Sequence, residues 1–207
     1  VGCTAVLVAE TACTFSLEGG GQSVVGGGAK GFAADGLRAR RRERDITSAL
    51  FDLGGNVAAL GSKPDGSPWK VGVADPDDPG KLAGLLEVRD ATVSTSGAYQ
   101  RYFEGKDGTR YHHLLDPSTG YPAASDLASA SVVGADGAQC DALSTACFAL
   151  GPDGAPDLWP AAAADGPAAF HLVLIAPDGR PFLTAGIAHA YTSAAGPNPQ
   201  VARSVTP

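Results

Sequence analysis

Two short apolar runs joined by Gly54-Gly55-Asn56 constrain the fold more than any other feature of this chain. Residues 49–53 and 57–60 flank a turn whose glycines tolerate unusual backbone angles, a pattern typical of a β-hairpin. Taken alone, the turn indicates no more than a hairpin connection. It does require an antiparallel strand pair, and therefore a sheet.

Further strand-like runs recur along the chain and are separated by a few helical patterns. Strands are expected near Leu50, Val71, Val93, His113 and Val132 and over residues 172–175, and helices over residues 29–44, 79–86 and 141–150. These elements predict a mixed α+β fold, with a largely antiparallel sheet and flanking helices. The length of 207 residues and the 44% hydrophobic content predict a single domain over residues 1–207 with a core of its own.

Charge and cysteine usage exclude several classes of function. A net charge of -7 argues against a nucleic-acid binder, and no apolar stretch is long enough to be a transmembrane span. The basic run 37–44 is interpreted as a solvated helix face, with a phosphate or partner patch as the alternative. Cys3, Cys13, Cys140 and Cys147 lack metal-ligand spacing, and the last two lie too far apart on one helix for a disulfide.

The segment 110–123 joins a strand-like run to a tight turn and carries two adjacent histidines. Successive strand side chains point to opposite faces, so His112 and His113 should have different surroundings. The Asp-Pro-Ser-Thr-Gly that follows is a turn sequence, and a neutral imidazole beside it suits a general base. An ordinary turn with two half-exposed histidines is the alternative.

Residues 140–151 have a helical pattern that ends at Gly151, a natural helix stop. Asp141 and Thr145 are four residues apart, so their oxygens should share one face near the helix start. A carboxylate and a hydroxyl there suit a hard cation that carries phosphates. The alternative is that Asp141 is only a helix N-cap and Thr145 a surface hydroxyl.

A second glycine-rich turn, residues 26–28, leads from an apolar pair into a helical pattern. Bare backbone groups in such a turn can approach a diphosphate or an ion, and Lys30 adds a positive charge. The spacing matches neither a P-loop nor a dinucleotide fingerprint.

In combination and order, these motifs resemble those of the ApbE-type flavin transferases, also called FAD:protein FMN transferases. The resemblance rests on GGGAKGFAAD, FDLGGNVAALG, WKVGVADP, STSGAYQRYF, YHHLLDPSTGYP and CDALSTACFALG, with HLVLIAPDGR similar to the closing strand-turn-strand. It covers about residues 22–190 and implies an ApbE-like, T-fold-like core. Because the family usually extends further upstream, we expect a fragment, a minimal variant or half of a split assembly.

The resemblance implies roles for individual residues. His113 matches the histidine that takes the proton of the acceptor hydroxyl. Asp141 and Thr145 match the side-chain metal ligands, and Gly27 matches the position whose carbonyl completes the protein part of the metal shell. The positions that match the cofactor cleft are Lys30, Asp35, Gly55, Asn56, Ser96, Gly97 and Ala123.

The implied activity is Mg2+-dependent transfer of the FMN half of FAD to a threonine hydroxyl of a target flavoprotein, with release of AMP. An all-oxygen ligand set suits Mg2+ or Ca2+ and argues against Zn2+. The implied partners are FAD and an acceptor protein with a Ser/Thr-containing flavinylation motif, and the implied location is extracytoplasmic. An FAD pyrophosphatase and a non-catalytic flavin-binding module are the alternatives.

Overall fold

The structure is a computed structural model that describes residues 6–9, 14–17, 25–78, 80–163, 170–194 and 199–202. The helices are α1 (Ala29–Arg42) and α2 (Gly137–Ala163), and a 3-10 turn covers Ala188–Ala190. The strands are β1 (Val6–Ala9), β2 (Thr14–Leu17), β3 (Ala49–Asp52), β4 (Asn56–Leu60), β5 (Trp69–Ala74), β6 (Leu82–Val88), β7 (Thr92–Gly97), β8 (Tyr102–Glu104), β9 (Arg110–His112), β10 (Ser129–Gly134), β11 (Phe170–Ile175), β12 (Pro181–Thr184), β13 (Tyr191–Ser193) and β14 (Gln200–Ala202). Cys3 and Cys13 lie outside the described residues.

The main sheet has seven strands in the order β14-β12-β11-β10-β7-β4-β3. All its neighbours are antiparallel except β12 and β14, so the α+β fold with a largely antiparallel sheet is confirmed. The hairpin predicted at Gly54-Gly55 joins β3 to β4 at one edge of this sheet. A second sheet has the order β13-β6-β5, and β1-β2 and β8-β9 are separate hairpins.

The main sheet lies between the second sheet and the helices, with an apolar core on each face. One core joins the two sheets and includes Val93, Val173 and Leu86. The other packs Val132 and Leu172 against α2, where Cys140 and Cys147 are buried free thiols, consistent with the helical spacing that argues against a disulfide between them. On β7, side chains alternate between these faces, and its polar residues on the helix side are Thr92, Ser94 and Ser96.

The helix predicted over residues 79–86 is wrong, because Leu82–Val88 forms strand β6. This strand pairs on both sides, with β5 and with β13. Its burial follows strand alternation at Leu86 and Val88, which are buried on either side of the exposed Glu87. Gly84 also fits beneath the Tyr191 ring, where a Cβ would overlap it. Tertiary pairing therefore overrides the local helical pattern.

The other elements differ from expectation mainly at their ends. Helix α1 ends at Arg42, two residues early, and the strand before the histidine turn ends at His112. Helix α2 starts at Gly137, four residues earlier than predicted, and the predicted stop at Gly151 is a kink, where the φ of 73° lies outside the right-handed helical region. The helical segment beyond Gly151 was not predicted. In the described part of the chain, no helix is long and apolar enough to cross a membrane.

Candidate functional site

Helix α2 contacts the start of α1 through a buried carboxylate. Asp141, which is 4% exposed, accepts a hydrogen bond from the Gly31 amide at 3.0 Å. The helices approach closely here, because a Cβ on Gly31 would overlap the Gly137 carbonyl. Asp136 caps α2 instead, with its carboxylate 2.7 Å from the Gln139 amide. The alternative interpretation of Asp141 as a helix N-cap is therefore wrong.

Thr145 lies one turn further along α2 and faces the glycine turn that precedes α1. A Cβ on Gly27 would be 3.6 Å from Thr145 Oγ1, so the backbone of Gly27 lies against this hydroxyl. Gly27 thus meets Thr145, and Gly31 meets Asp141. The two glycines are four residues apart in the sequence, and so are Asp141 and Thr145. The structure brings the three expected metal ligands to one junction, which we call the α1–α2 junction (residues 27–31, 141 and 145).

The oxygen groups at this junction fit a hard cation. Asp141 is a buried carboxylate, and none of the salt bridges among the described residues involves it. A buried charge is costly unless it is paired, and Mg2+ and Ca2+ prefer carboxylate, hydroxyl and carbonyl oxygens. No group of three or more His, Cys, Asp or Glu side chains that could hold a metal occurs in the described residues.

Hydroxyl groups from β7 and α2 surround Thr145. Ser96 Oγ lies 2.9 Å from Ser144 Oγ and 3.2 Å from Thr145 Oγ1. Ser144 is fully buried and donates to the Asp141 carbonyl at 2.9 Å. Gly97 follows Ser96 and is buried at the end of β7. Ser144 was not among the predicted site residues, and its one sequence signal is its place three residues after Asp141, next to Thr145.

Lys30 reaches the turn of the β3–β4 hairpin. Its ammonium donates to the Gly54 carbonyl at 3.3 Å. Gly55 has a φ of 91°, which favours glycine, and its amide donates to the Asp52 carboxylate at 3.1 Å. The structure therefore places Lys30 and Gly55 together, beside the start of α1.

Asn56 has a different environment from its neighbour Gly55. It is fully buried at the start of β4 and lies directly opposite Ser94 on β7. Neither side-chain atom of Asn56 nor the Ser94 hydroxyl has a hydrogen-bond partner. Contact between Asn56 and a cofactor stays a prediction.

Asp35 has a structural position at the end of the α1–α2 contact. Its carboxylate accepts from the Gly137 amide at 2.8 Å and 3.0 Å and from the Ala138 amide at 3.1 Å. It also lies 3.5 Å from Arg38, a buried guanidinium. These contacts stabilise the positive end of α2. Contact between Asp35 and a cofactor stays a prediction.

His113 is exposed at the end of the β8–β9 hairpin and is held by one carbonyl group. Its backbone amide and its ring Nδ1 each lie 3.2 Å from the Arg101 oxygen. A carbonyl can only accept, so Nδ1 carries the hydrogen and Nε2 of the neutral ring keeps its lone pair. This tautomer presents an accessible base. Arg101 was not among the predicted site residues, because it acts through its backbone and leaves no side-chain signal.

His112 faces the other way, as strand alternation predicted. Its ring meets Phe148 of α2 edge-on, with centroids 5.5 Å apart. Burial lowers the pKa of His112, which favours the neutral ring. Of the two histidines, only His113 has the exposure expected of a base.

The turn after His113 is held by local hydrogen bonds. Asp116 accepts from the Ser118 amide at 2.8 Å and from its hydroxyl at 2.7 Å, and these bonds hold the pKa of Asp116 below its ordinary value. Ala123 is buried, and its amide donates to the Leu114 carbonyl at 2.9 Å. Leu114 packs in the same core cluster as residues of α2, so the turn is fastened beside the helix that carries Asp141.

Comparison with known proteins gives consistent matches. The model of the ApbE family matches residues 8–169. The FAD:protein FMN transferase of Treponema pallidum (strain Nichols) is 46% identical over 143 residues, or 65% of this chain and 39% of that protein. The ApbE protein of Thermotoga maritima superposes with a TM-score of 0.76 at 34% identity over 87% of this chain and 57% of that one.

The apo form of the Pseudomonas stutzeri flavinyl transferase ApbE gives a TM-score of 0.67 at 30% identity. That match covers 93% of this chain and 55% of the other. The chain thus spans less than two thirds of the length of each of these relatives.

Proposed function

This chain belongs to the ApbE family, and on that premise we propose that it transfers the FMN half of FAD to a threonine hydroxyl of an acceptor protein, releasing AMP. The observation that carries the proposal is the α1–α2 junction, where Asp141 binds the Gly31 amide and Thr145 meets Gly27. Residues at least 110 positions apart in the chain thereby meet at one place.

The α1–α2 junction would hold Mg2+, with Ca2+ as the alternative cation. Asp141 and Thr145 would supply side-chain oxygens and Gly27 a carbonyl. When bound, the cation would neutralise charge on the FAD pyrophosphate and make its phosphorus more electrophilic. Three protein oxygens are few for either cation, so the cation and the pyrophosphate should bind cooperatively.

His113 would act as the general base. Its Nε2 lone pair would take the proton of the threonine hydroxyl as the threonine oxygen forms a bond to the FMN-side phosphorus. The bond from that phosphorus to the bridging oxygen breaks, and AMP leaves with the oxygen and its electron pair. The Nδ1–H bond to Arg101 would hold the ring in the required tautomer.

The groups around the junction would bind the remainder of FAD. Lys30, beside the Gly54-Gly55 turn, offers a positive charge to a phosphate. The further positions proposed to line the cofactor cleft are Asp35, Gly55, Asn56, Ser96, Gly97 and Ala123. Among these, Ser96 has the most direct link to the junction, through its 3.2 Å contact with Thr145.

Hydrolysis of FAD to FMN and AMP is the second candidate function. The exposure of His113 permits it, because water can reach Nε2 as readily as a threonine hydroxyl can. In both reactions, the same base and the same junction would be needed. A non-catalytic flavin-binding module would need neither.

The partners follow from the transferase proposal. The acceptor would carry a Ser/Thr-containing flavinylation motif, and the reaction would take place outside the cytoplasmic membrane.

A product assay tests the proposal. The purified chain is mixed with FAD and Mg2+, with an acceptor that carries the flavinylation threonine and with the same acceptor after Thr→Val. Equal amounts of AMP and acceptor-bound flavin, lost with the valine acceptor, are expected of the transferase. AMP with free FMN in both mixtures would establish the hydrolase instead. Bound FAD without AMP would contradict both reactions.

A further inference from the structure

The hydroxyl groups around Thr145 form a chain whose direction is fixed by its last acceptor. Ser144 Oγ lies 2.9 Å from the Asp141 carbonyl, which can only accept, so the single hydroxyl hydrogen of Ser144 points there. Ser96 Oγ lies 2.9 Å from Ser144 Oγ. Since Ser144 has no second hydrogen, Ser96 must donate to Ser144.

The orientation of the Thr145 hydroxyl follows from that of the Ser96 hydroxyl. Ser96 has given its hydrogen to Ser144, so in the 3.2 Å contact with Thr145 it can only accept. Thr145 therefore donates to Ser96, with its hydrogen directed toward β7. Its free lone pairs are left for the side of the hydroxyl where the Gly27 backbone lies.

We propose that Ser144 and Ser96 are positioning residues that orient the Thr145 hydroxyl so that its lone pairs face the cation. This inference rests on the proposed cation site and extends it to a residue, Ser144, that touches neither cation nor cofactor. A hydroxyl ligand must present a lone pair to a metal, and outer hydrogen bonds commonly fix that orientation.

The burial of the two serine hydroxyl groups supports their positioning role. Ser144 is 0% exposed and Ser96 is 8% exposed, so water does not compete for their hydrogen bonds. Both ends of the chain are also fixed to the same helix, at the Asp141 carbonyl and at Thr145. The direction of these hydrogen bonds is thus fixed by contacts with Asp141 and Thr145, the two residues whose side chains would bind the cation.

Ser131 provides a matched control. Ser131 is equally buried, and its hydroxyl lies 2.7 Å from Thr95 Oγ1. This pair is on the opposite face of the sheet from α2, because Thr95 alternates with Ser94 and Ser96 along β7. Ser131→Ala therefore removes a buried serine hydrogen bond without changing the hydrogen-bonded hydroxyl groups around Thr145.

The test measures Mn2+ binding by electron paramagnetic resonance, with ADP present to supply a pyrophosphate. Ser144→Ala frees the Ser96 hydrogen to turn toward Thr145, so Mn2+ affinity should fall by about tenfold. Ser131→Ala should leave it unchanged. In a Ser96→Ala background, Ser144→Ala should have no further effect, because Ser144 acts only through Ser96.

The outcomes separate this inference from the cation site itself. If Ser144→Ala binds Mn2+ as tightly as the unchanged chain, or if its effect persists without Ser96, the positioning role is wrong. If the unchanged chain and Asp141→Asn bind Mn2+ equally, the proposed cation site is wrong as well. Should Ser144→Ala not fold, Ser144→Cys leaves no cavity, since its sulfur is larger than the serine oxygen, but it provides a poor acceptor for Ser96, and the same loss is expected of it.

Discussion

The α1–α2 junction and the turn around His113 are built from different kinds of contact. At the junction, Asp141 binds the amide of Gly31, 110 residues away, and Asp35 binds α2 across 102 residues. In the turn, Asp116 binds Ser118, two residues away, and the longest contact of His113 spans twelve residues to Arg101. The junction exists only in the complete fold, whereas the turn is largely specified by its own sequence.

This difference predicts how each region responds to substitution. A change at the junction should alter both stability and cation binding, because the same buried groups hold the helices together. A change of the exposed His113 ring should alter chemistry with little effect on folding. Four substitutions test that separation.

Asp141→Ala should have the largest effect. It removes the proposed carboxylate ligand, so Mg2+-dependent AMP release should fall to the level measured with EDTA. It also leaves the buried Gly31 amide without its partner, which should cost about 1–3 kcal/mol in the free energy of unfolding. AMP release and urea unfolding measure the two effects. Normal activity with Mg2+ would show that the cation site has been misplaced.

His113→Ala should reduce AMP release by roughly 10²–10⁴-fold, the usual contribution of a general base. Because the ring is exposed, FAD binding and the unfolding midpoint should stay unchanged. His112→Ala is the matched comparison. It removes the ring that packs against Phe148, so it should lower stability more than His113→Ala does. Undiminished AMP release by His113→Ala would refute the base role.

Gly31→Ala tests how closely the helices must approach. The added Cβ would overlap the Gly137 carbonyl, so the helices must separate, at a cost of about 1–3 kcal/mol. Gly36→Ala on the same helix is the control. Nothing lies within 4 Å of a Cβ there, and alanine favours a helix, so it should stabilise by about 0.5–1 kcal/mol. Denaturant unfolding should show a lower free energy of unfolding for Gly31→Ala and a higher one for Gly36→Ala. Changes of the same sign in both variants would contradict the close approach of the helices.

The sequence predicted local features better than it predicted long-range ones. The Gly54-Gly55 hairpin, the stop at Gly151 and the opposite directions of His112 and His113 depend on neighbouring residues, and all are present. The segment 82–88 was predicted as part of a helix because its pairing with β5 and β13 lies outside any local pattern.

The proposed site divides in the same way. Asp141 and Thr145 were picked out by helical spacing, but their approach to Gly31 and Gly27 depends on the packing of α1 against α2. The Arg101 carbonyl carries no sequence signal, since it acts through its backbone, and Ser144 is marked only by its place in the chain next to Thr145.

Ser118→Ala should have the smallest effect and sharpens the description of the turn. The Ser118 hydroxyl and amide lower the pKa of Asp116, and the hydroxyl bond is the larger cause. Because the folded pKa lies below the unfolded one, this contribution to stability is present above the unfolded pKa and is lost as the pH falls through the folded value. Removing the hydroxyl should move the Asp116 pKa back toward its ordinary value, which NMR titration of the carboxyl carbon would record.

AMP release near neutral pH should not change, since Asp116 stays ionised there in both forms. An unmoved pKa would mean that the backbone amides alone hold this turn, and a loss of activity would mean that the turn positions His113 through Ser118.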